Sequence, residues 1–428
     1  MRDQDTGHPA DSPDGADSQR GEPRLTTRET AELLGVKPET VYAYVSRGQL
    51  GSRRAPGGRG STFDAGEVRA LARRNRRDGG ASAPSGQEAA VRTRLTLIES
   101  DRFYYRGVDA VDLAARHTYE EVAEWLWTGQ LRPGTVFSAP ETSVAVARRA
   151  ADALPEHAGP TDRLRVAATA AAVADPLRFD LSEDAVLGTA RILIPTLVAA
   201  LPPVLRDGHD RDPLSHRLWT RLSGRPADEP ALRALDTALC LLVDHDLAAS
   251  TLAVRVAASA RAHAYAAVSA GLGVIEGPLH GAAGGLAHRM LQEVLEVGSA
   301  APVVAEELRA GRRIPGLGHR LYPGEDPRAR ALFALLEGIP RAAPALAAAR
   351  DIQATAARHA PLHANVDLAL AVLTASSGMA PTAPETIFAV ARTAGWIAHA
   401  LEEYGERPLR MRPIGLYSGP RPPRPLPE

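Results

Sequence analysis

Apolar positions along the chain acquire a regular spacing only from Leu25 onward. Upstream, residues 1–23 mix Asp, Gly, Pro and Ser with no repeat, which reads as a disordered tail. Thr27 precedes a helical spacing of Ala31, Leu33 and Leu34, with Gly35 as its stop. Pro38 opens a second short helix carrying Val41, Tyr42 and Val45, and Gly48 ends it. A basic Gly-rich loop, a short strand at Ser61–Phe63 and a third helix complete this region, 24–77. Residues 78–90, DGGASAPSGQEAA, read as a linker. Beyond it helical spacing dominates, at Tyr119–Trp127, Leu164–Ala174, Asp184–Leu201, Pro230–Asp244 and Ser250–Ala270. Pro202 and Pro203 stop one of these stretches, and long strand alternation is absent. The pattern predicts one large all-α unit over 91–428.

Composition agrees with that reading. Hydrophobic residues are 44% of the chain but aromatics only 4%, and the abundant Ala favours close-packed helices over sheets. A single cysteine, Cys240, excludes an intrachain disulfide framework and any multi-cysteine metal site, so no metal is expected and a reducing compartment is. No apolar run reaches the roughly 18 residues that a membrane helix needs. The polar, acidic start does not resemble a signal peptide, which leaves the cytoplasm as the expected location.

Charge is uneven within a net −1. Residues 1–21 carry −3, whereas residues 22–77 set twelve Lys/Arg against six Asp/Glu, a net +6. A basic block in a neutral chain fits a polyanion such as nucleic acid, and equally a solvated basic face. Two short helices about a Gly-containing turn form a helix-turn-helix pattern. LTTRETAELLGVKPETVYAYVSRGQL and the trailing wing resemble excisionase-like and MerR-like helix-turn-helix domains. The resemblance implies that the second helix enters a major groove through Lys37, Glu39, Thr40, Ala43, Tyr44 and Arg47, with Arg53, Arg54 and Arg59 meeting phosphates. A protein-interaction module is the alternative.

Three stretches place chemistry-bearing residues beside glycines. In GVIEGPLHGAAGG, residues 273–285, His280 falls on a tight turn near a helix start, where backbone N–H groups favour an anion or a developing oxyanion. In IPGLGHRLYPGEDPRARAL, residues 314–332, His319 follows two glycines and Arg328 follows an Asp-Pro that opens a helix. That pair suits a dicarboxylate, with His donating to a carbonyl and Arg forking a carboxylate. In HANVDLALAVLTASSG, residues 363–378, Asp367 enters an apolar helix, where partial desolvation raises a carboxyl pKa toward that of a general base. An N-cap or a structural salt bridge is the other reading of that aspartate. On the helix around 387–401, Ile387, Val390, Ala394, Ile397 and Leu401 form an apolar seam, with Arg392, Trp396 and His399 on another face.

Taken in order, DHDLAAST (244–251), GPLHGAAGG, PGLGHRLYPGEDPRA, NVD (365–367), ARTAGWIAH (391–399) and RPIGLYSG (412–419) resemble the citrate synthase family over about 91–420. The resemblance implies a large and a small helical domain and the condensation of acetyl-CoA with oxaloacetate to citrate and CoA. Asp367 matches the base that takes the methyl proton, His280 the donor to the thioester oxygen, and His319 the group on the oxaloacetate ketone. His245, Arg328, Arg392 and Arg412 match the oxaloacetate-binding set, the last reaching a partner's site in a homodimer. No cofactor is implied beyond acetyl-CoA as co-substrate. Departures fall at Ala248, Gly284, Leu368, Ala369 and Pro323, where the family usually carries Asn, Asn, two aromatics and a basic residue. The alternatives are 2-methylcitrate synthesis from propionyl-CoA, or a DNA-binding regulator whose synthase body senses citrate, oxaloacetate or acyl-CoA.

Overall fold

The structure is a computed structural model that describes residues 24–34, 36, 38–46, 50–54, 60–69, 71, 91–206, 209, 211–277, 280–413, 415–420 and 424. Packing divides the chain into two units, Met1–Ala90 and Val91–Glu428. The tail at 1–23 and the linker at 78–90 expected from the sequence lie outside the described residues.

In the first unit, helices Thr27–Leu34 and Pro38–Ser46 pack on an antiparallel sheet in which Ser61–Asp64 lies between Arg24–Thr26 and Ser52–Arg54. Ala31, Val41, Leu50, Phe63, Val68 and Leu71 form its core. The first helix is capped one residue earlier than the sequence indicates. Thr26 Oγ1 accepts the Glu29 N–H, and the Glu29 carboxylate accepts the Thr26 N–H at 2.8 Å, a reciprocal capping box. Helical phase also reassigns the tyrosines. Tyr42 is exposed, whereas Tyr44 is half-buried against the small core, because Val41, Tyr44 and Val45 share the inward face.

Among its described residues the second unit is mostly helical, with one three-stranded antiparallel meander, Thr96–Glu99, Arg102–Tyr105 and Val108–Asp109, and an isolated bridge between Leu317 and Ala364. The sequence reading missed it, because its strands span two to four residues and alternation never builds. Phe103 and Tyr105, two apart, point inward, and the Tyr105 hydroxyl faces the carbonyls of Cys240, Leu241 and Asp244. The stretch expected as one helix over Ser250–Ala270 is two, Ala249–Ser259 and Ala264–Ile275. Arg261 breaks it with a left-handed φ of 62°.

Helix Ala383–Tyr404 runs through the centre of this unit. It is buried on nearly every face rather than along a single seam, Arg392, Trp396 and His399 included. Missing side chains make that possible. A Cβ at Gly395 would lie 2.1 Å from the Val243 carbonyl oxygen, and one at Gly271 would lie 2.7 Å from the Trp396 ring. Among the described residues no single helix is long and apolar enough to cross a membrane.

Gly395→Ala tests this contact. The methyl group meets backbone, which cannot swing aside, so a loss of at least about 3 kcal/mol in unfolding free energy is expected from urea denaturation.

Candidate active site

The central helix delivers three side chains, Phe388, Arg392 and Trp396, to one cluster around His280 and Ser250. Arg392 is 1% exposed, and its Nε donates to the Leu242 carbonyl at 2.8 Å. Its NH1 is buried with no hydrogen-bond partner among the described residues. Phe388, one turn earlier, lies 4.7 Å beneath the Arg392 guanidinium and meets the His280 ring edge-on at 5.9 Å. Trp396, one turn later, donates its indole N–H to Ser250 Oγ at 3.3 Å.

Ser250 in turn sets the state of His280. With its oxygen accepting from Trp396, the hydroxyl still has its own proton to give, and we assign that proton to the contact with His280 Nε2, 2.7 Å away. Nε2 is then an acceptor, so the neutral ring carries its proton on Nδ1. Burial, followed by the Arg392 charge, pushes the His280 pKa down to about 4, so this ring is a neutral donor at ordinary pH. It sits on a turn just ahead of helix Ala283–Val297, as its flanking glycines indicate.

His319 lies on the Gly-rich loop. Gly316 in this loop has a φ of 78° and presses on Leu368, where a Cβ would come within 2.7 Å. Backbone bonds fasten the loop to the turn that carries the base: Asn365 N–H to Gly316 O at 2.9 Å, and Gly318 N–H to His363 O at 2.7 Å. Asn365 then caps helix Val366–Ser376 by accepting the Asp367 N–H at 2.9 Å. Asp367 is therefore in the first turn but is not the cap, and its carboxylate makes no hydrogen bond or ion pair among the described residues. Burial pushes its pKa up to about 6, against the pull of Arg328.

Asp326 joins the base to a cation. It holds Arg328 through Nε at 3.0 Å and NH2 at 2.7 Å, and it also accepts the Val366 N–H at 3.1 Å. Arg328 is 3% exposed, with NH2 3.2 Å from His319 Nε2. The Leu321 N–H approaches the other ring nitrogen at 3.1 Å. Two donors thus converge on a neutral ring that carries one proton of its own, since burial and Arg328 push the His319 pKa down to about 4. An oxygen acceptor placed between Nε2 and the guanidinium relieves that approach of donor to donor. His245 completes the wall. Its Nε2 lies 2.8 Å from the Tyr322 hydroxyl, its ring meets His319 edge-on at 5.3 Å, and burial, Arg328 and Arg392 hold its pKa well below the usual imidazole range.

Six of the residues singled out from the sequence thus converge: His245, His280, His319, Arg328, Asp367 and Arg392. Arg412 does not join them, being exposed on the tail beyond the central helix. Ser250, Tyr322, Asp326 and Phe388 were missed as site residues. Ser250, Tyr322 and Asp326 lie within the motifs, but nothing in their spacing distinguishes them from packing residues. Leu368 and Ala369 are fully buried, so the loss of aromatics there changes packing under the loop. A Cβ on Gly284 would lie 2.8 Å from the Pro384 Cβ and 3.5 Å from Asp367 Oδ1, which leaves no room for a larger residue beside the base. In the first unit Arg53 and Arg54 are exposed on an outer strand and Thr40 is half-buried. Lys37, Arg47 and Arg59 lie outside the described residues, as do the side chains of Glu39 and Ala43.

A carboxyl of raised pKa, neutral histidines and two buried arginines gathered together suit an enzyme that removes a proton from carbon while holding a small polyanion. The profile described as "Citrate synthase, C-terminal domain" matches residues 86–414, and "Helix-turn-helix domain" matches residues 24–76. A citrate synthase of Haloferax volcanii is 32% identical over 353 residues, 76% of this chain and 93% of that protein. Citrate synthase 2 of Bacillus subtilis is 30% identical, covering 79% of this chain and 96% of its own length. The crystal structure of citrate synthase from Pyrobaculum aerophilum superposes with a TM-score of 0.66 at 25% identity, over 88% of this chain and 97% of that one. That from Thermotoga maritima gives 0.64 at 26%, over 79% and 96%. The chain belongs to the citrate synthase family and carries a helix-turn-helix domain at its N-terminal end.

The raised Asp367 pKa sets a pH dependence. A base acts when ionised, so kcat/KM for the acyl-CoA is expected to fall about tenfold per unit below the Asp367 pKa, about 6 before substrate binds, and to level off above it. A profile flat from pH 5 to 8 removes Asp367 as the base.

Proposed function

We propose that the chain condenses acetyl-CoA with oxaloacetate and hydrolyses the resulting thioester to citrate and CoA. The observation that carries this reading is the buried Arg392 with an unpartnered NH1, in the same cluster as Arg328, two acceptor-seeking histidines and a base of raised pKa. An unpaired buried donor costs roughly 1–3 kcal/mol and more when charged, which a carboxylate oxygen repays.

Oxaloacetate spans Arg328 and Arg392 with its carboxylates, and His319 Nε2–H meets its ketone oxygen. The thioester oxygen of acetyl-CoA accepts from His280 Nδ1–H, while Asp367 takes a proton from the methyl carbon. The donor is needed because a thioester α-proton is too weakly acidic for a free carboxylate to remove at neutral pH. As the enol carbon attacks the ketone and the C–C bond forms, His319 passes its Nε2 proton to the new alkoxide, and the proton that Asp367 took from the methyl carbon returns through water to the ring. Water then cleaves the thioester. These steps use side chains and the two substrates, with no cofactor or metal. Arg412, exposed on its own subunit, serves the site of a second copy in a homodimer, and the lone buried Cys240 fits a reducing, cytoplasmic setting.

Thiol release from acetyl-CoA in the presence of oxaloacetate tests the reaction, with propionyl-CoA as the competing substrate. Asp367→Asn should lower kcat on the order of 10²–10⁴-fold. Mixing it with Arg412→Ala tests the shared site. Each heterodimer then holds one site with both residues intact, so up to about half of wild-type activity should return. Verified heterodimers that stay inactive would place Arg412 in its own subunit's site.

The helix-turn-helix unit binds duplex DNA in this reading, on the strength of the net +6 over 22–77. Exposed Arg53 and Arg54 contact phosphate, so replacing both by Ala should weaken binding to all sequences alike and flatten its salt dependence. Absence of any mobility shift at micromolar full-length protein and low salt would favour a protein partner.

A further inference from the structure

A chain of buried charges lies outside the substrate cluster. Asp244 accepts from the Thr96 hydroxyl and sits 3.2 Å from His399 Nε2. His399 Nδ1 takes an N–H of Arg255 at 2.8 Å. Arg255 pairs with Glu402 at 2.7 Å and Glu403 at 3.2 Å, and Glu403 accepts from Arg410 NH2 at 2.7 Å. Asp244, His399, Arg255 and Glu403 are each at most 1% exposed. Stability does not account for this chain, since well-packed apolar residues hold such positions as well or better.

What the chain joins gives it a use. At one end Asp244 directly precedes His245 and lies within the field of Arg392. At the other, Arg410 stands two residues before Arg412. The root of the tail is clamped to the segment after helix Ala249–Ser259. The Leu409 N–H donates to Ser259 O at 2.8 Å with φ at 58°, a left-handed turn that a leucine adopts only when held. Arg261 donates to the carbonyls of Glu403 and Glu406, and the Tyr404 hydroxyl to that of Ala262. The same helix begins beside Ser250, which sets the His280 ring.

We propose that Arg255, Glu403 and Arg410 are positioning residues that fix the direction in which residues 409–412 leave the subunit, and so place Arg412 on a substrate carboxylate in a second copy's site. This rests on the shared-site reading above. Among the described residues Glu403 Oε1 and Arg410 Nε have no partner, so the Glu403–Arg410 pair is the one charge-assisted contact from this network to the tail, and its loss loosens residues 410–412 beyond the Leu409–Ser259 clamp.

Arg410→Ala is the first test, because this side chain is only half-buried and folding should survive. The KM for oxaloacetate should rise on the order of tenfold while the acetyl-CoA KM and the melting temperature stay near wild type. Arg255→Lys, which keeps charge but not the fork, should raise the oxaloacetate KM in the same way, together with a lower melting temperature because buried partners lose contacts. The double variant Arg410→Ala/Arg412→Ala should be no worse than Arg412→Ala alone, since both remove one contact. In mixed dimers Arg410→Ala should be rescued by Asp367→Asn, as a defect in the donated tail. A normal oxaloacetate KM in Arg410→Ala and Arg255→Lys beside a defective Arg412→Ala overturns the proposal alone, as do additive losses in the double variant. A normal Arg412→Ala enzyme removes the reading of Arg412, and the proposal with it.

Discussion

The approach of Gly395 to the Val243 carbonyl governs this structure. Because no side chain intervenes, the backbone of helix Ala383–Tyr404 lies directly on the segment 242–245. That proximity sets what every turn of the helix can reach. Arg392 bonds the Leu242 carbonyl, Trp396 reaches Ser250, and His399 meets Asp244. A helix held one side chain's width away would put each of these groups about 2 Å out of reach, further than a hydrogen bond tolerates.

Two arginines then sit nearly dry in one cluster with three histidines. Like charge and burial act together on the rings: each of His245, His280 and His319 is driven neutral. The same surroundings act in the opposite sense on Asp367, because burial penalises its anion. The cluster therefore keeps its histidines uncharged and the Asp367 carboxyl less acidic than usual, a separation of proton affinities that suits carbon-acid chemistry.

Much of this was legible in the sequence, and for physical reasons. Glycines flanking His280 and His319 announce turns, and Asp-Pro before Arg328 announces a helix start, because these residues restrict the backbone by themselves. The apolar seam of the central helix was legible too, but not that its other faces are equally buried. Trp396, His399 and Arg392 look polar or bulky enough for a surface until Gly395 and Gly271 are seen to make space. Tyr44 was read as outward because helix phase over nine residues depends on one capping position. The strands at 96–109 are too short to show a period. Ser250 and Asp326 act through neighbours far away in the chain, Trp396 and Val366, which spacing cannot reveal.

Asp326 holds Arg328 with the same carboxylate that receives the N–H of Val366, next to the base. The Arg328 charge favours ionised Asp367 and so weakens it as a proton acceptor. In the proposed reaction a substrate carboxylate at Arg328 offsets that charge, and the proton affinity of Asp367 rises. Thermodynamic linkage makes the effect mutual: the dianion and the proton on Asp367 assist each other's binding. The order of events is thus written into the electrostatics. On the proposed reading Asp367 reaches full strength as a base only after oxaloacetate is seated, so a lone acetyl-CoA would meet an enzyme poorly equipped to deprotonate it.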